Sequence, residues 1–305
     1  MKDDYLEKLY HIAVMYYEEN LTQEEISRRV GMSRPQVSRA LAKAIAEGIV
    51  EIKVNPINSA AYTAEKLREK LGLERVFIAP VGKNQSADRK NCIDDISSYA
   101  ASVLGREIQG ARNIGLGWGE TLYKTIMKME ESEKGEDRKV VPLVGSIGYH
   151  EPHYQVNVLV GMFSDKIKAS SLFYNGSEGG NEPYAELASS WKNLDVAVVG
   201  LGPYPTARFP KDGVSEEWLD ELSSAAPKGD ILGRFFNDEG YIDEDESKVL
   251  VIPEEDLRKV RKIICLSGGS DKIEAIRTAA KLGLITHLIT DEETAEKLMK
   301  TIEEA

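Results

Sequence analysis

The sequence predicts an α/β protein in two parts: a small N-terminal helical module and a larger, doubly wound domain built on a mostly parallel sheet. Three observations predict it. Residues 21–54 contain two short helical patterns, separated by Gly31 and Met32 and followed by an alternating apolar run. Beyond residue 74, continuous apolar runs alternate with helical patterns, as strands buried on both faces do. Charge is also divided unevenly. Residues 1–55 hold 8 basic and 9 acidic side chains, whereas residues 56–305 hold 31 and 42 of a chain whose net charge is −12.

In the first part, residues 5–19 place Leu6, Leu9, Ile12, Ala13 and Tyr16 on one helical stripe. Thr22 caps the next helix, with Glu25 three residues on completing a capping box. Ile26 and Val30 share a face, and Gly31 supplies a turn that needs positive φ. Ser33 precedes a further helix with Pro35 in its first turn, where a missing N–H does no harm. Val37, Leu41, Ala44 and Ile45 are expected to face inward on that helix. Residues 49–54 (IVEIKV) are expected to form a covering strand, giving a winged helix-turn-helix.

The outward set on the second helix of the motif is Ser33, Arg34, Gln36, Ser38, Arg39 and Lys43. Arg and Lys neutralise phosphates, Arg forks onto guanine, and Gln pairs with adenine in a major groove wide enough for a helix. Residues 28–43 contain five basic residues and no acid, against the trend of an acidic chain. With Thr22 and Gln23 at the start of the preceding helix, these are the candidate DNA contacts. A solvated basic face on a three-helix domain is the plainer alternative. The acidic remainder would repel DNA, which confines contact to this module.

Asn55 to Ser59 is rich in turn formers and marks the boundary: module 1–55, linker 56–62, larger domain 63–305. A short amphipathic helix is expected over 61–71. Strands are expected at 75–81, 113–117, 139–144, 195–201, 248–252, 262–267 and 284–290. Helices are expected near 92–108, 119–130, 182–192, 271–282 and 291–303, and the acidic stretch 130–137 reads as a solvated connection. No run of 18 apolar residues points to a membrane span, and the N-terminus lacks an apolar secretory core. Cys92 and Cys265 read as buried reduced thiols of a cytoplasmic protein.

Ligands of such sheets bind at the carboxyl ends of strands. Three such ends are glycine-rich: Gly117-Trp118-Gly119, Gly145-Ser146 and Gly268-Gly269 with the nearby Lys272. Backbone N–H groups at helix N-termini suit an anion, and Lys272 adds a point charge. An exposed first-turn lysine is the plain alternative for Lys272. Asp230, between Gly229 and an apolar run, can accept hydrogen bonds from sugar hydroxyls or cap a helix. His150 and His153 beside Glu151 hint at a metal, but a loop of unconstrained spacing explains them, so no metal or cofactor is expected. No Ser/His/Asp set is apparent.

LTQEEISRRVGMSRPQVSRAL, GLGWGETL, LVGSIG, VAVVGLG, GDILGRFF and LSGGSDKIEAIRTAAKLGLITHLITDEETAEKL occur in this order along nearly the whole chain. In these blocks the chain resembles the SorC/DeoR-type sugar-binding transcriptional regulators of bacteria. The resemblance implies an effector domain related to sugar-phosphate isomerases and glucosamine-phosphate deaminases. It implies a homodimer or homotetramer that binds operator DNA and responds to a phosphorylated sugar held by the loop residues named above. No catalysis is expected; a sugar-phosphate isomerase or deaminase with an appended DNA module is the alternative. Pro227 and Lys228 before Gly229, and the whole of 149–182, depart from the family pattern.

Overall fold

The computed structural model describes residues 2–50, 59–80, 89–133, 137–145, 152–174, 182–204, 216–242 and 250–304. It divides into two compact units, Met1–Pro56 and Ile57–Ala305.

The first unit holds α1 (Lys2–Tyr17), α2 (Gln23–Val30) and α3 (Arg34–Ala46). Its core joins Leu9, Ile12 and Ala13 of α1 to Ile26 of α2 and to Val37, Leu41 and Ala44 of α3. Ile45 departs from the sequence reading. It is 42% exposed, because it follows Ala44 by one 100° step that carries it off the Val37–Leu41–Ala44 stripe. Gly48, at φ 71°, then turns the chain back, and Ile49 and Val50 pack on this core without forming a strand. The remainder of the expected covering strand lies outside the described residues.

In the second unit the chain runs α4 (Ser59–Leu71), β1 (Arg75–Ala79), α5 (Arg89–Glu107), β2 (Asn113–Leu116), α6 (Glu120–Lys128), β3 (Lys139–Pro142), α7 (Val156–Ile167), β4 (Ser170–Ser171) and α8 (Glu182–Trp191). It continues through β5 (Val196–Gly200), β6 (Gly202–Pro203), α9 (Glu216–Ser224), β7 (Gly229–Ile231), β8 (Arg234–Phe236), α10 (Glu254–Leu257), β9 (Lys262–Leu266), α11 (Ile273–Lys281), β10 (His287–Asp291) and α12 (Glu292–Glu303). Seven strands form one parallel sheet in the order β1-β10-β9-β5-β2-β3-β4, and β6-β7-β8 form a separate antiparallel sheet. Contacts link α5, α6 and α7 into one layer, and α4, α12 and α11 into another. The expected linker segment is therefore in part helix: α4 begins at Ser59 and buries Leu67 and Leu71 against the larger unit.

The apolar runs became central strands because both of their faces are covered, as in Val140–Val141 and Val196–Val199, all buried. Of the expected strand at 248–252, the described residues 250–252 belong to neither sheet. Within it, Val251 makes a single antiparallel bridge to Val144, and Ile252 N–H donates to the Leu143 carbonyl at 2.9 Å. This contact lies past the end of β3 and is too short for a ladder. Several elements had no sequence assignment: α7, β4, α9, α10 and the strands of the antiparallel sheet. The sequence of α7, VNVLVGMFSDKI, carries an unbroken run without polar side chains from Val158 to Phe163, and so short a run does not separate helix from strand. Packing decides it: Val156, Leu159, Val160, Phe163 and Ile167 are all buried on the sheet.

Phe163 is fully buried, and Phe163→Ala is expected to lower unfolding free energy by about 3–5 kcal/mol. Urea unfolding followed by circular dichroism measures this; a change below about 1 kcal/mol would mean α7 is not part of the cooperative core.

Candidate functional site

In the N-terminal unit, capping fixes the starts of α2 and α3. Glu25 N–H donates to Thr22 Oγ1 at 3.3 Å, and Thr22 N–H and hydroxyl donate to Glu25 Oε2 at 2.8 and 2.7 Å. The Thr22 backbone N–H is the main group holding the Glu25 carboxyl below its ordinary range. Gly31 takes φ 66°, which only glycine adopts at no cost, and reverses the chain into α3. Ser33 N–H donates to Gln36 Oε1 at 2.8 Å.

Those contacts present Arg34, Gln36, Ser38, Arg39 and Lys43 on the exposed side of α3, opposite the buried stripe. Ser33 and Thr22 are exposed and Gln23 half-buried at the helix starts. Arg39 Nε reaches the Pro35 carbonyl at 3.3 Å, and Lys43 pairs with Glu47 at 2.8 Å, which raises its pKa. This is a polar, cationic helix face on a short, capped helix. It is suited to a DNA groove.

In the larger unit, strand order creates the second site. From β2 the chain moves outward through β3 and β4, then returns to β5 on the other side of β2 and moves outward through β9 and β10. The boundary between β2 and β5 is thus a topological switch point, where loops diverge and leave a crevice at the strand carboxyl ends. Gly117 leaves β2 there, its N–H donating to the Val198 carbonyl at 2.8 Å. A Cβ on Gly117 would lie 2.9 Å from Leu232 Cδ2, so the β7–β8 turn packs closely on this position. Trp118 is half-buried, and Gly119, at φ 118°, opens α6 with no atom crowding the place of a Cβ.

Gly202 and Gly229 bring the antiparallel sheet onto the end of β5. The Asp230 carboxylate fills the space a Gly202 Cβ would need, while a Cβ on Gly229 would stand 2.6 Å from Ala275 Cβ and 2.7 Å from the Gly202 carbonyl. Asp230 Oδ2 accepts the Gly233 N–H at 3.3 Å. It caps no helix; it belongs to strand β7. Burial pushes its pKa up to about 6, against the opposing pull of the Gly233 N–H and the Lys272 charge. Lys272 is not the exposed lysine of the plain alternative. It is 9% exposed, on the 3-10 turn Ser270–Lys272 that leads into α11, with its N–H on the Gly269 carbonyl at 3.0 Å. Behind it the Cys265 thiol, fully buried, is pushed up to about 12 by desolvation.

The Gly268–Gly269 loop is held from below. Gly269 N–H donates to Thr294 Oγ1 at 2.7 Å, and Thr294 N–H donates to Asp291 Oδ1 at 3.0 Å. Cys92 Sγ donates to the same carboxylate at 3.1 Å, and burial is the main cause that raises its thiol pKa. A Cβ on Gly268 would collide with Asp291, Ile96 and Cys92. The N–H groups of Gly117, Gly145 and Gly269 are therefore all donated within the protein. Gly117 and Gly145 permit close approach, and Gly269 takes a φ of 110° that favours glycine.

The structure brings Gly117, Asp230, Gly268, Gly269 and Lys272 to the adjacent ends of β2, β5 and β9. Gly145 stands one strand further out, at the end of β3, with its N–H on the Leu250 carbonyl at 2.6 Å. Ser146 lies outside the described residues, as do His150 and Glu151. His153 meets Tyr154 edge to face, with ring centroids 4.2 Å apart. Sequence reasoning missed Gly202, Asp291 and Thr294. The spacing Asp291-x-x-Thr294 before a helical run was a capping signal that would have found the last two.

Models of two families match the chain: a sugar-binding domain over residues 55–176 and 180–300, and the MarR family over residues 10–56. The chain belongs to the SorC family of sugar-binding transcriptional regulators. The sorbitol operon regulator of Klebsiella pneumoniae is 29% identical over 95% of this chain and 96% of its own. LsrR, a transcriptional regulator of Escherichia coli K12, is 27% identical over 97% and 95%. The full-length crystal structure of the Klebsiella SorC superposes with a TM-score of 0.69 over 97% of this chain and 99% of its own, at 27% identity. A transcriptional regulator from Streptococcus pneumoniae TIGR4 gives 0.70 over 79% and 97%, at 26% identity. The SorC-family chain is a helix-turn-helix transcriptional regulator with a sugar-binding domain, and no described helix is long and apolar enough to cross a membrane.

Asp230 yields a pH prediction. Its folded pKa of about 6 lies above the ordinary 3.8, so between these values the folded state binds the extra proton and stability falls as pH rises. Asp230→Asn is expected to flatten this part of the profile and to gain roughly 1–2 kcal/mol at pH 7.5, a figure reduced for the residue's partial exposure. Urea unfolding of both proteins at pH 4.5 and 7.5 tests it; parallel pH profiles would refute it.

Proposed function

We propose that this regulator controls a sugar-metabolism operon and that a phosphorylated sugar sets its affinity for operator DNA. The observation that carries the reading is Lys272, nearly buried at a helix start beside Asp230 and the switch-point glycines. A lysine kept in such a place is suited to a charged group, and a phosphate offers one; Asp230 suits hydroxyls as partners. Gly117, Trp118, Gly119, Gly145, Ser146, Gly268 and Gly269 line the rest of the proposed effector site. Residues 1–55 act as the DNA-binding domain, with Thr22, Gln23, Ser33, Arg34, Gln36, Ser38, Arg39 and Lys43 at the duplex, and residues 63–305 bind effector and hold the oligomer together. The protein works in the cytoplasm as a homodimer or homotetramer, represses, and is released by the sugar. The similarity to the sorbitol operon regulator of Klebsiella pneumoniae supports the control of a sugar operon.

Regulation requires only that the sugar bind the DNA-competent and DNA-incompetent states with different affinity. A second reading, an isomerase or deaminase, draws on Asp230, since a carboxyl with a pKa of about 6 is matched to acid–base work near neutrality. The protein is expected to leave ribose and glucosamine phosphates unturned, and turnover would reinstate that reading.

Fluorescence anisotropy with DNA from the promoter region of the protein's own gene, at fixed salt and with a panel of sugar phosphates, tests the leading assignment. One compound should shift affinity or stoichiometry. Lys272→Ala should weaken that compound's binding at least tenfold, and an unaltered affinity would remove Lys272 from the site. Arg39→Ala should weaken operator binding by about 1–3 kcal/mol and relax sequence preference; unchanged affinity and preference would reject α3 as the reading helix.

A further inference from the structure

We propose that the N-terminal half of α1 extends the DNA-contact surface, with the Lys8 ammonium on a backbone phosphate flanking the groove entered by α3 and the Tyr5 hydroxyl beside it. The inference rests on the reading of α3 as the DNA-reading helix.

Within the N-terminal unit a groove of about 380 Å³ runs between α1 and α3. Tyr5, Lys8 and Leu9 form its α1 side, Gln36 and Arg39 its α3 side, and Met32 its end. Two candidate base-reading side chains thus share one concavity with two side chains of a helix whose sequence pattern accounts only for packing. That pattern does account for Leu9 and Ile12, which are buried. It leaves Tyr5, 50% exposed, and Lys8, also exposed, on the rim. Lys43, on the same exposed side of α3, is held charged by Glu47.

The chemistry of the rim identifies the occupant. Lys8 of α1 and Arg39 of α3 put two cations on this groove, beside a polar helix face and in a chain otherwise strongly acidic. A helix seated in a major groove about 12 Å wide lies between two walls of phosphates. A cation projecting from the neighbouring helix, beside the reader, meets one of those walls. Such a contact positions the protein without reading sequence, and it releases counterions. Tyr hydroxyls commonly donate to phosphate oxygens in the same way.

The full-length protein is titrated by anisotropy against two duplexes of equal length, one from the promoter region of its own gene and one of random sequence, across a series of salt concentrations. Lys8→Ala is expected to weaken binding roughly three- to tenfold on both duplexes and to reduce the log–log salt slope by about one. Lys8→Arg should keep the wild-type slope, and Tyr5→Phe should weaken binding to both duplexes while leaving the slope unchanged. A wild-type slope in Lys8→Ala, or a loss confined to one duplex, overturns the contact. Arg39→Ala serves as the reference. If it relaxes the preference between duplexes while Lys8→Ala changes nothing, the α1 contact alone is wrong. If it keeps the wild-type preference, the reading of α3 fails and this proposal fails with it.

Discussion

The larger unit depends on a close approach of backbones at the switch point of its sheet. The Asp230 carboxylate stands where any side chain at Gly202 would have to be, and Gly229 meets both the Gly202 carbonyl and Ala275. Interiors are packed densely enough that one added methyl there would displace the antiparallel sheet as a whole. The consequence is electrostatic as much as steric. Placing β7 against the end of β5 desolvates a carboxylate, and the compensation is one backbone N–H and a lysine on the next strand's loop. A desolvated carboxylate with an ammonium nearby is sensitive to any charge brought between them.

A second set of constraints keeps that lysine in place. Asp291, at the end of β10, caps α12 through Thr294, and the Thr294 hydroxyl receives the Gly269 N–H. The same carboxylate accepts the Cys92 thiol from α5. Three elements on both sides of the sheet therefore converge beneath one loop. Positioning groups for a ligand by hydrogen bonds from rigid strand and helix ends lowers the ordering cost of binding. On the proposed reading, this scaffold would hold the phosphate-binding lysine ready, and the more open surroundings of Gly119 would admit the sugar.

The N-terminal unit follows another logic. It is small, and its core comprises one stripe from each of three helices. Caps and turns carry a large share of its definition: the Thr22–Glu25 box, Gly31 and Gly48 at positive φ, and Gln36 on the Ser33 N–H. Each is worth of order 1 kcal/mol, a substantial fraction of what so small a unit can have. The exposed face of α3 is then free to be cationic, because nothing in the folding of the unit asks otherwise.

Much of this was legible in the residues themselves. The capping box, the glycine turn and the 3.6-residue stripes are local, so the helices of the first unit followed from sequence, as did the principal buried strands, whose apolar runs reflect coverage on both faces. The glycine-rich strand ends and Asp230 were also visible. What sequence alone could not decide was long-range. The order of the strands, and hence the switch point between β2 and β5, depends on which faces pack together. So do the helical state of the mostly apolar α7, the outward turn of Ile45 and the isolated bridge at Val251 in place of an extended strand. Lys272 is the sharpest case: its sequence neighbours fit an exposed first-turn lysine, and only the docking of β7 and the anchoring of its loop on Thr294 make it a nearly buried charge. Sequence specifies local periodicity and the residues able to tolerate close approach; tertiary packing decides which of them meet, because burial and electrostatics depend on neighbours far away in the chain.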